Sequence, residues 1–210
     1  MKKIALIICV VMFLGTVGAF AAPKKGSMKD PRDGKAYKTV QIGSQTWMAE
    51  NLNYKTKDSY CYDNKKSNCV KYGRLYTWKT AQEACPVGWH LPSKDEFEML
   101  FKAVGGIQDE KKERDWNNAG VRLKSASGWK DYDIKSGNGD DAFGFSALPA
   151  GNRNDEEEYS FMGFYTDFWS SSEDSNGNAH YASLGYYYDA AHLDSYRSKF
   201  YGFSVRCVKD

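Results

Sequence analysis

The pattern of apolar and polar positions is clearest between residues 74 and 101, where it predicts two helices separated by a short extended segment. Trp78, Ala81 and Cys85 are spaced by three and four residues, so one helix would place all three on a single buried stripe. A proline follows Cys85 at once and ends this helix. The short apolar run at residues 88–91 precedes Pro92, which disfavours helical geometry before it, so the run is predicted to be extended.

The second helix has the clearer signals. Ser93 and Glu96 are spaced as a capping box, in which each side chain bonds the backbone N–H of the other residue. The apolar positions that follow have the spacing of a core-packed helix face: Phe97, Leu100, Phe101 and Val104. Two glycines at 105 and 106 end the helix.

Outside this centre the pattern is that of short strands. Residues 37–42 and 45–48 predict a hairpin joined by Gly-Ser, and residues 168–172 and 179–188 predict two later strands separated by a Ser-Asn-Gly-Asn turn. Glycine-rich sequence from 118 to 151 shows almost no helical period. In the last segment, alternation places Phe203, Val205 and Cys207 on one face, so Cys207 is predicted to point into the core towards the first helix.

The N-terminus has the features of a secretory signal peptide: two lysines, an apolar run over residues 4–17 and the small-residue pattern Ala19-Phe20-Ala21. We expect cleavage after Ala21, a flexible lead over residues 22–30 and one domain over residues 31–210. The mature chain is then expected to have no transmembrane segment and to be periplasmic, on the outer surface or secreted. Cleavage removes two of the 29 basic residues, leaving 27 against 27 acidic ones. This balance argues against nucleic-acid binding and electrostatic membrane adsorption.

Four cysteines remain after cleavage, and an even number in an exported chain predicts two disulfides. Cys61 and Cys69 flank a short polar, turn-rich loop that their bonding would close, which leaves Cys85 to pair with Cys207. Spacing ranks this pairing first among the three that four cysteines allow. Four free thiols or a metal site are the alternatives, although the chain has no CxxC pair to support metal.

Long ordered motifs carry a family resemblance from about Asp30 to the last residue. They are DPRDGKAYKTVQIGSQTWMAENLNY, GRLYTW, CPVGWHLPS, GFSALPAGNR, FWSSSE and GFSVRCVKD. Together they resemble the Fibrobacter-type major paralogous domain, a bacterial exported family named for its expansion rather than for an activity. The resemblance therefore implies export and leaves the ligand open.

The central block is also similar to C-type lectin-like domains. The matching residues fall in the order found in those domains: Trp78, Ala81, Cys85, Gly88, Leu91, Ser93, Glu96 and Cys207. This resemblance implies an α+β fold with two helices packed on short, irregular antiparallel sheets. It also implies that the helix cysteine bridges to a cysteine on the last strand, which supports the pairing of Cys85 with Cys207.

Sugar-binding C-type lectins hold calcium with a Glu-Pro-Asn or Gln-Pro-Asp loop and a Trp-Asn-Asp strand, and neither tripeptide loop occurs here. The nearest string, Trp116-Asn117-Asn118, lies in the wrong half of the chain. Acidic loops offer a weaker alternative calcium site, with oxygen ligands from Asp140, Asp141, Asn152, Asn154, Asp155 and residues 156–158. A solvated acidic loop is the favoured interpretation, so we expect no metal and no cofactor.

An enzymatic alternative comes from residues 90–101, which resemble a helix of formylglycine-generating enzymes. Those enzymes use a cysteine pair and copper, whereas every mature cysteine here is better explained as a disulfide partner. None of His90, His180 and His192 lies in a recognised catalytic motif, and His90 is interpreted as structural. We therefore expect no catalytic residues and no enzymatic activity.

Aromatic residues crowd the last third of the chain, and strand alternation cannot bury all of them on one side. Rings beside polar loops suit stacking on sugars or contact with a protein. We expect a non-catalytic recognition module for a polysaccharide or a surface protein, with ligand contacts from Arg153, Tyr159, Tyr165 and Trp169. The alternatives are a formylglycine-generating-type oxidase and a purely structural envelope protein.

Overall fold

A computed structural model describes residues 23–210, so the predicted signal peptide and its cleavage site lie outside the described residues. The helices are α1 (Lys66–Tyr72), α2 (Trp78–Ala81), α3 (Lys94–Ala103) and α4 (Ala119–Leu123). The first strands are β1 (Lys24–Lys29), β2 (Ala36–Ile42), β3 (Gln45–Met48), β4 (Ser59–Tyr60), β5 (Leu75–Tyr76), β6 (Trp89–His90) and β7 (Ile107–Gln108). The later strands are β8 (Asp115–Asn117), β9 (Asn152–Arg153), β10 (Tyr159–Ser160), β11 (Tyr165–Glu173), β12 (Ala179–Gly185), β13 (Ala191–Asp194) and β14 (Val208–Lys209).

Two five-stranded antiparallel sheets dominate the architecture, in the orders β1-β2-β3-β14-β6 and β11-β12-β13-β8-β7. Two two-stranded pairs interrupt these sheets in the chain: β4 with β5 lies between β3 and β6, and β9 with β10 lies between β8 and β11. Helix α3 packs against β11 and β12, and its buried face joins the larger core cluster. The predicted mixture of helices and antiparallel sheets is confirmed. Within the described part of the chain, no helix is long and apolar enough to cross a membrane.

The predicted hairpin is confirmed as β2 and β3, but the lead before it is not the flexible segment that the sequence suggested. Residues 24–29 form β1, which pairs antiparallel with β2 from Lys24 opposite Gln41 to Lys29 opposite Ala36. Apart from Met28, the side chains of this edge strand are exposed, so no hydrophobic alternation marks it in the sequence. Backbone pairing stabilises the strand, and lysines on an edge discourage pairing with other chains.

Helix α3 begins as predicted. The Ser93 hydroxyl accepts a hydrogen bond from the Glu96 N–H at 3.2 Å, and the Glu96 carboxylate accepts one from the Ser93 N–H at 2.8 Å. Helix α2 is shorter than the sequence pattern suggested, because its final turn tightens into i to i+3 bonds such as that from Ala84 N–H to Ala81 O. Ala81 is buried on the predicted stripe, whereas Trp78 and Cys85 are only partly buried.

Both predicted disulfides are present, Cys61 with Cys69 and Cys85 with Cys207. The first closes the short loop around α1. The second joins partners 122 residues apart and ties the segment after α2 to the end of the chain. Four of the chain's five cysteines are therefore unavailable as thiols or metal ligands.

The last segment differs from the regular strand that alternation predicted. Only β14 is a strand, and residues 202–204 make single bridges to three different elements: Gly202 to Arg153, Phe203 to Tyr76 and Ser204 to Phe168. The predicted inward positions Phe203, Val205 and Cys207 are buried in the second core cluster. The opposite face, with Ser204 and Arg206, is fully buried as well, because loops pack over it.

Arg206 occupies this interior without a carboxylate partner within ion-pair distance among the described residues. Its guanidinium donates to Asn51 Oδ1 at 2.6 Å, to Met48 O at 3.2 Å and to Ser146 O at 3.0 Å, and it also bonds the Phe145 carbonyl. Burial lowers the pKa of Arg206 to about 9. Arg206 thereby connects the loop after β3, the segment at 145–146 and the chain end.

The two disulfides should contribute unequally to stability, because a longer loop loses more entropy in the unfolded chain when it is closed. Removing the long bridge in Cys85→Ala/Cys207→Ala should cost about 5 kcal/mol, against about 2.6 kcal/mol for Cys61→Ala/Cys69→Ala. Non-reducing chemical denaturation measures both free energies, with the unaltered protein under reduction as a control. Equal losses for the two double variants would contradict the assignment of the long bridge as the main covalent tie.

Candidate functional site: a tyrosine-walled cleft

A row of polar side chains crosses the second sheet on one face. Antiparallel register places Asp167 of β11 opposite Ser183 of β12, Ser183 opposite His192 of β13, and His192 opposite Asp115 of β8. Alternation gives the other face to apolar residues that join the larger core, namely Phe168, Ala182, Leu184, Ala191, Leu193 and Trp116. The polar row therefore lies on the face of the sheet turned away from that core.

Hydrogen bonds fix the members of this row. Asn152 of β9 donates its amide to Asp167 Oδ2 at 3.0 Å. His192 Nδ1 lies 2.5 Å from Asp115 Oδ1. Burial raises the pKa of Asp167, and the hydrogen bonds from Asn152 and Ser183 oppose this rise only in part.

Tyrosine rings form the walls of a cleft of about 540 Å³ above this row. Tyr165 and Tyr187 have ring centroids 6.1 Å apart, Tyr187 and Tyr188 are 4.6 Å apart, and Tyr188 lies edge-on to His192 at 4.4 Å. Gly185 makes room for Tyr188, because a Cβ at that glycine would lie 2.5 Å from the tyrosine ring. The rings and the polar row together form an amphipathic surface.

The far side of the cleft adds charged and hydroxyl groups. Arg114 pairs with Asp194 at 3.0 Å, and Arg197 lies over the Tyr196 ring at 5.0 Å. Tyr181 is 2 % exposed and lines the cleft. Burial is the main cause that raises the pKa of its hydroxyl, and the neighbouring Tyr196 raises this pKa further. That hydroxyl has no well-formed hydrogen bond to a described residue. It is therefore a buried polar group without a partner in the wall of the cleft.

Of the four residues predicted to contact a ligand, only Tyr165 lines this cleft. The prediction that Trp169 contacts a ligand is corrected by the structure, because its side chain is fully buried. Its indole N–H donates to Tyr76 O at 2.8 Å, and its ring stacks on Phe203 with centroids 4.3 Å apart. An indole with no exposed face cannot stack on a ligand. The aromatic pattern alone could not separate this core ring from those that line the cleft.

Arg153 and Tyr159 lie in a separate cluster near the Cys61–Cys69 loop. Arg153 is 6 % exposed and its guanidinium lies 4.0 Å from the Tyr60 ring centroid and 3.0 Å from a Glu157 carboxylate oxygen. The Tyr159 hydroxyl donates to Asn64 Oδ1 at 2.9 Å. Both side chains therefore stabilise the packing of β9 and β10 on this loop, and the structure does not bring them to Tyr165.

Sequence reasoning missed the polar row. Asp167 and Ser183 are visible as polar interruptions in apolar strands, which is a usable signal. Nothing in the chain, however, shows that β13 joins β12 to β8, and this order brings His192 and Asp115 into the same row. The ring nitrogens of His90 lie 2.6 Å from Asp210 and 2.8 Å from Glu96, so this side chain connects the start of α3 to the last described residue.

The acidic loops proposed as a weak calcium site are engaged locally. Asp141 accepts hydrogen bonds from the Ser146 N–H and hydroxyl, Asp140 accepts one from the Ala142 N–H, and Asn154 Oδ1 accepts two from its own turn. Between residues 23 and 210, no group of three or more His, Cys, Asp or Glu side chains could hold a metal ion.

The fold and the cleft define a disulfide-stapled α+β domain with a polar, tyrosine-walled recess on its second sheet. The family model of the Fibrobacter succinogenes major domain matches residues 40–209, so the chain belongs to this family. No curated protein and no solved structure matches the chain. The cleft geometry is therefore the main guide to what the domain binds.

Asp167 should make stability depend on pH. Its folded pKa is raised above its ordinary value of 3.8, so the folded state keeps a proton that the unfolded chain releases, and stability falls as pH rises from 3.8 to the folded pKa. Asp167→Asn retains an acceptor for Asn152 without ionising. The stability of the variant relative to the unaltered protein should therefore increase as the pH of denaturation experiments rises above about 4. A constant difference would show that Asp167 ionises normally.

Removing divalent ions should leave folding unchanged, because the acidic side chains of the loops already serve local turns. With chelator, the melting temperature should stay within about a degree of its value in calcium, since a saturating ion would stabilise the fold by several kcal/mol. Differential scanning fluorimetry in both buffers checks this. A clear rise of the melting temperature in calcium, absent in Asp141→Asn, would instead support a calcium site in these loops.

Proposed function

We propose that this protein is an exported, non-catalytic recognition module that binds a glycan in the tyrosine-walled cleft. The observation that carries the proposal is the combination, in one recess, of aromatic rings with a fixed row of hydrogen-bonding groups. Sugar rings present apolar C–H faces and polar hydroxyl edges, and an amphipathic recess of this kind complements both. Two disulfides in the described chain are compatible with export.

Preorganisation supports binding at this site. Asp167 and Asn152 are each 6 % exposed and hydrogen-bonded to each other, so their orientation is set before a ligand arrives. Tyr187 is 46 % exposed at the rim and offers ring area for stacking. The ligand would then meet a fixed polar floor and accessible aromatic walls.

We also propose that the fold is of the C-type lectin-like type. The main support is the Cys85–Cys207 bridge, which joins the segment after α2 to the chain end in the manner that the resemblance implies. The capped helix α3, directly after the short strand β6, agrees with the same arrangement. In this proposal the late half of the chain carries recognition, and the cleft lies there.

Two observations favour binding over catalysis. The oxidase alternative needs reactive cysteines, and Cys61, Cys69, Cys85 and Cys207 are all bridged. Ser183, His192 and Asp115 are neighbours across three strands, but no hydrogen bond joins the Ser183 hydroxyl to His192. The serine therefore lacks the base contact that activates a hydrolytic nucleophile.

Substitution at the rim tests the cleft. Once a glycan screen identifies a binding polysaccharide, Tyr187→Ala should weaken its affinity by roughly tenfold, since an aromatic ring that stacks on the ligand contributes about 1.4 kcal/mol. Phe200→Ala is the matched control, because Phe200 is 73 % exposed and does not line the cleft. Calorimetric titration measures both affinities.

Tyr165→Ala should act like Tyr187→Ala, because the two rings are in contact. If both tyrosine variants stay folded and bind like the unaltered protein, the glycan site lies outside this cleft. A purely structural envelope protein would show no binding to any polysaccharide in the screen.

A further inference from the structure

A second recess lies along the first sheet. It has a volume of about 560 Å³ and shares no lining residue with the tyrosine-walled cleft. Strands β1 and β2, helix α1 and the loop at residues 141–148 form its walls. We call this recess the basic groove.

Cationic side chains outnumber carboxylates in the groove. Its five cations are Lys25, Lys35, Lys38, Lys71 and Arg206, and its two carboxylates are Glu50 and Asp141. Lys35 pairs with Asp33, and Lys38 lies 4.0 Å from Glu50, so both lysines are partly neutralised. Asp141 is held by hydrogen bonds to Ser146.

Lys25 and Lys71 are exposed, and neither forms an ion pair with a residue in the described part of the chain. Lys25 extends from β1 over Gly144, where a Cβ added to the glycine would lie 3.4 Å from the lysine Cε. Lys71 comes from α1 on another wall. Two cations without acidic partners therefore border one recess from two separate elements.

Arg206 distinguishes this groove from an ordinary lysine-rich surface. It lines the groove while being fully buried, and its hydrogen bonds go to an amide oxygen and three carbonyls rather than to a carboxylate. A buried positive charge with no carboxylate in contact attracts anions more strongly than a solvated one, because water screens it less. Asp141 and Glu50 interact electrostatically with Arg206 and offset part of its charge, and the remainder adds to that of Lys25 and Lys71.

We propose that the basic groove binds the anionic groups of an acidic saccharide, either uronate carboxylates or phosphates. The excess of cations supplies the charge complementarity, and the open shape admits a sugar chain rather than only a small ion. This site is separate from the tyrosine-walled cleft, so experiments can disprove either binding proposal without affecting the other.

Hexagalacturonate and its fully methyl-esterified form are the first pair of probes, because esterification removes the charge and keeps the sugar chain. A phosphorylated mannan oligosaccharide and its dephosphorylated form are the second pair, and they distinguish phosphate from carboxylate. Calorimetric titration of the full mature chain should show binding of at least one charged probe and little binding of its neutral partner. Affinity should fall as salt is raised.

Lys25→Gln/Lys71→Gln should weaken binding of the charged probe by roughly three- to tenfold, as expected for losing two exposed ionic contacts. The matched control is Lys79→Gln/Lys111→Gln, which removes two exposed lysines outside the groove. Tyr187→Ala should leave this affinity unchanged, which separates the groove from the cleft.

An equal loss of affinity for the charged probe in Lys79→Gln/Lys111→Gln would overturn the proposal, since it would indicate non-specific electrostatic attraction. Equal binding of charged and neutral probes, or no binding of any charged probe by the unaltered protein, would overturn it as well. Melting temperatures close to that of the unaltered protein for both double variants confirm that the comparison concerns binding.

Discussion

The fold depends on the burial of its last segment, residues 202–208. This segment contacts β5, β9 and β11 through single bridges and ends in β14, which lies between β3 and β6 in the first sheet. Cys207 ties it covalently to the end of the α2 region, and Arg206 bonds groups on two other segments, residues 48–51 and 145–146. Because Arg206 satisfies carbonyls that would otherwise be buried without partners, at a cost of roughly 1–3 kcal/mol each, its loss would release several contacts together.

This segment also explains why the second sheet can carry a polar face. Phe203 stacks on Trp169 and contacts Tyr181, so it covers one end of the sheet face on which the polar row lies. The remainder of that face, from Tyr165 to His192, stays open and forms the cleft. One sheet therefore has an apolar side in the larger core and another side divided between the smaller core and a recess.

The two recesses differ in chemistry because different elements line them. The cleft gathers rings and polar groups from strands whose positions are fixed by backbone pairing, which is suited to directional contacts. The basic groove gathers flexible lysines from an edge strand and a short helix around a rigid arginine. The basic groove would attract the anionic groups of a ligand, and the cleft would supply shape complementarity and hydrogen bonds.

The sequence by itself determined the features that depend on local order: the capped helix α3, the β2–β3 hairpin and the short Cys61–Cys69 loop. Its motifs also indicated the family, and the resemblance supported the long-range pairing of Cys85 with Cys207. Periodicity, capping and short loops act between residues close in the chain, so they can be read from it. Tertiary structure alone decided that Trp169 is core, that Arg206 is buried, that residues 24–29 form a strand and that Asp167, Ser183, His192 and Asp115 share a row. Each of these depends on strand order and on which segment covers a face, and neither is encoded in the local pattern of apolar and polar residues.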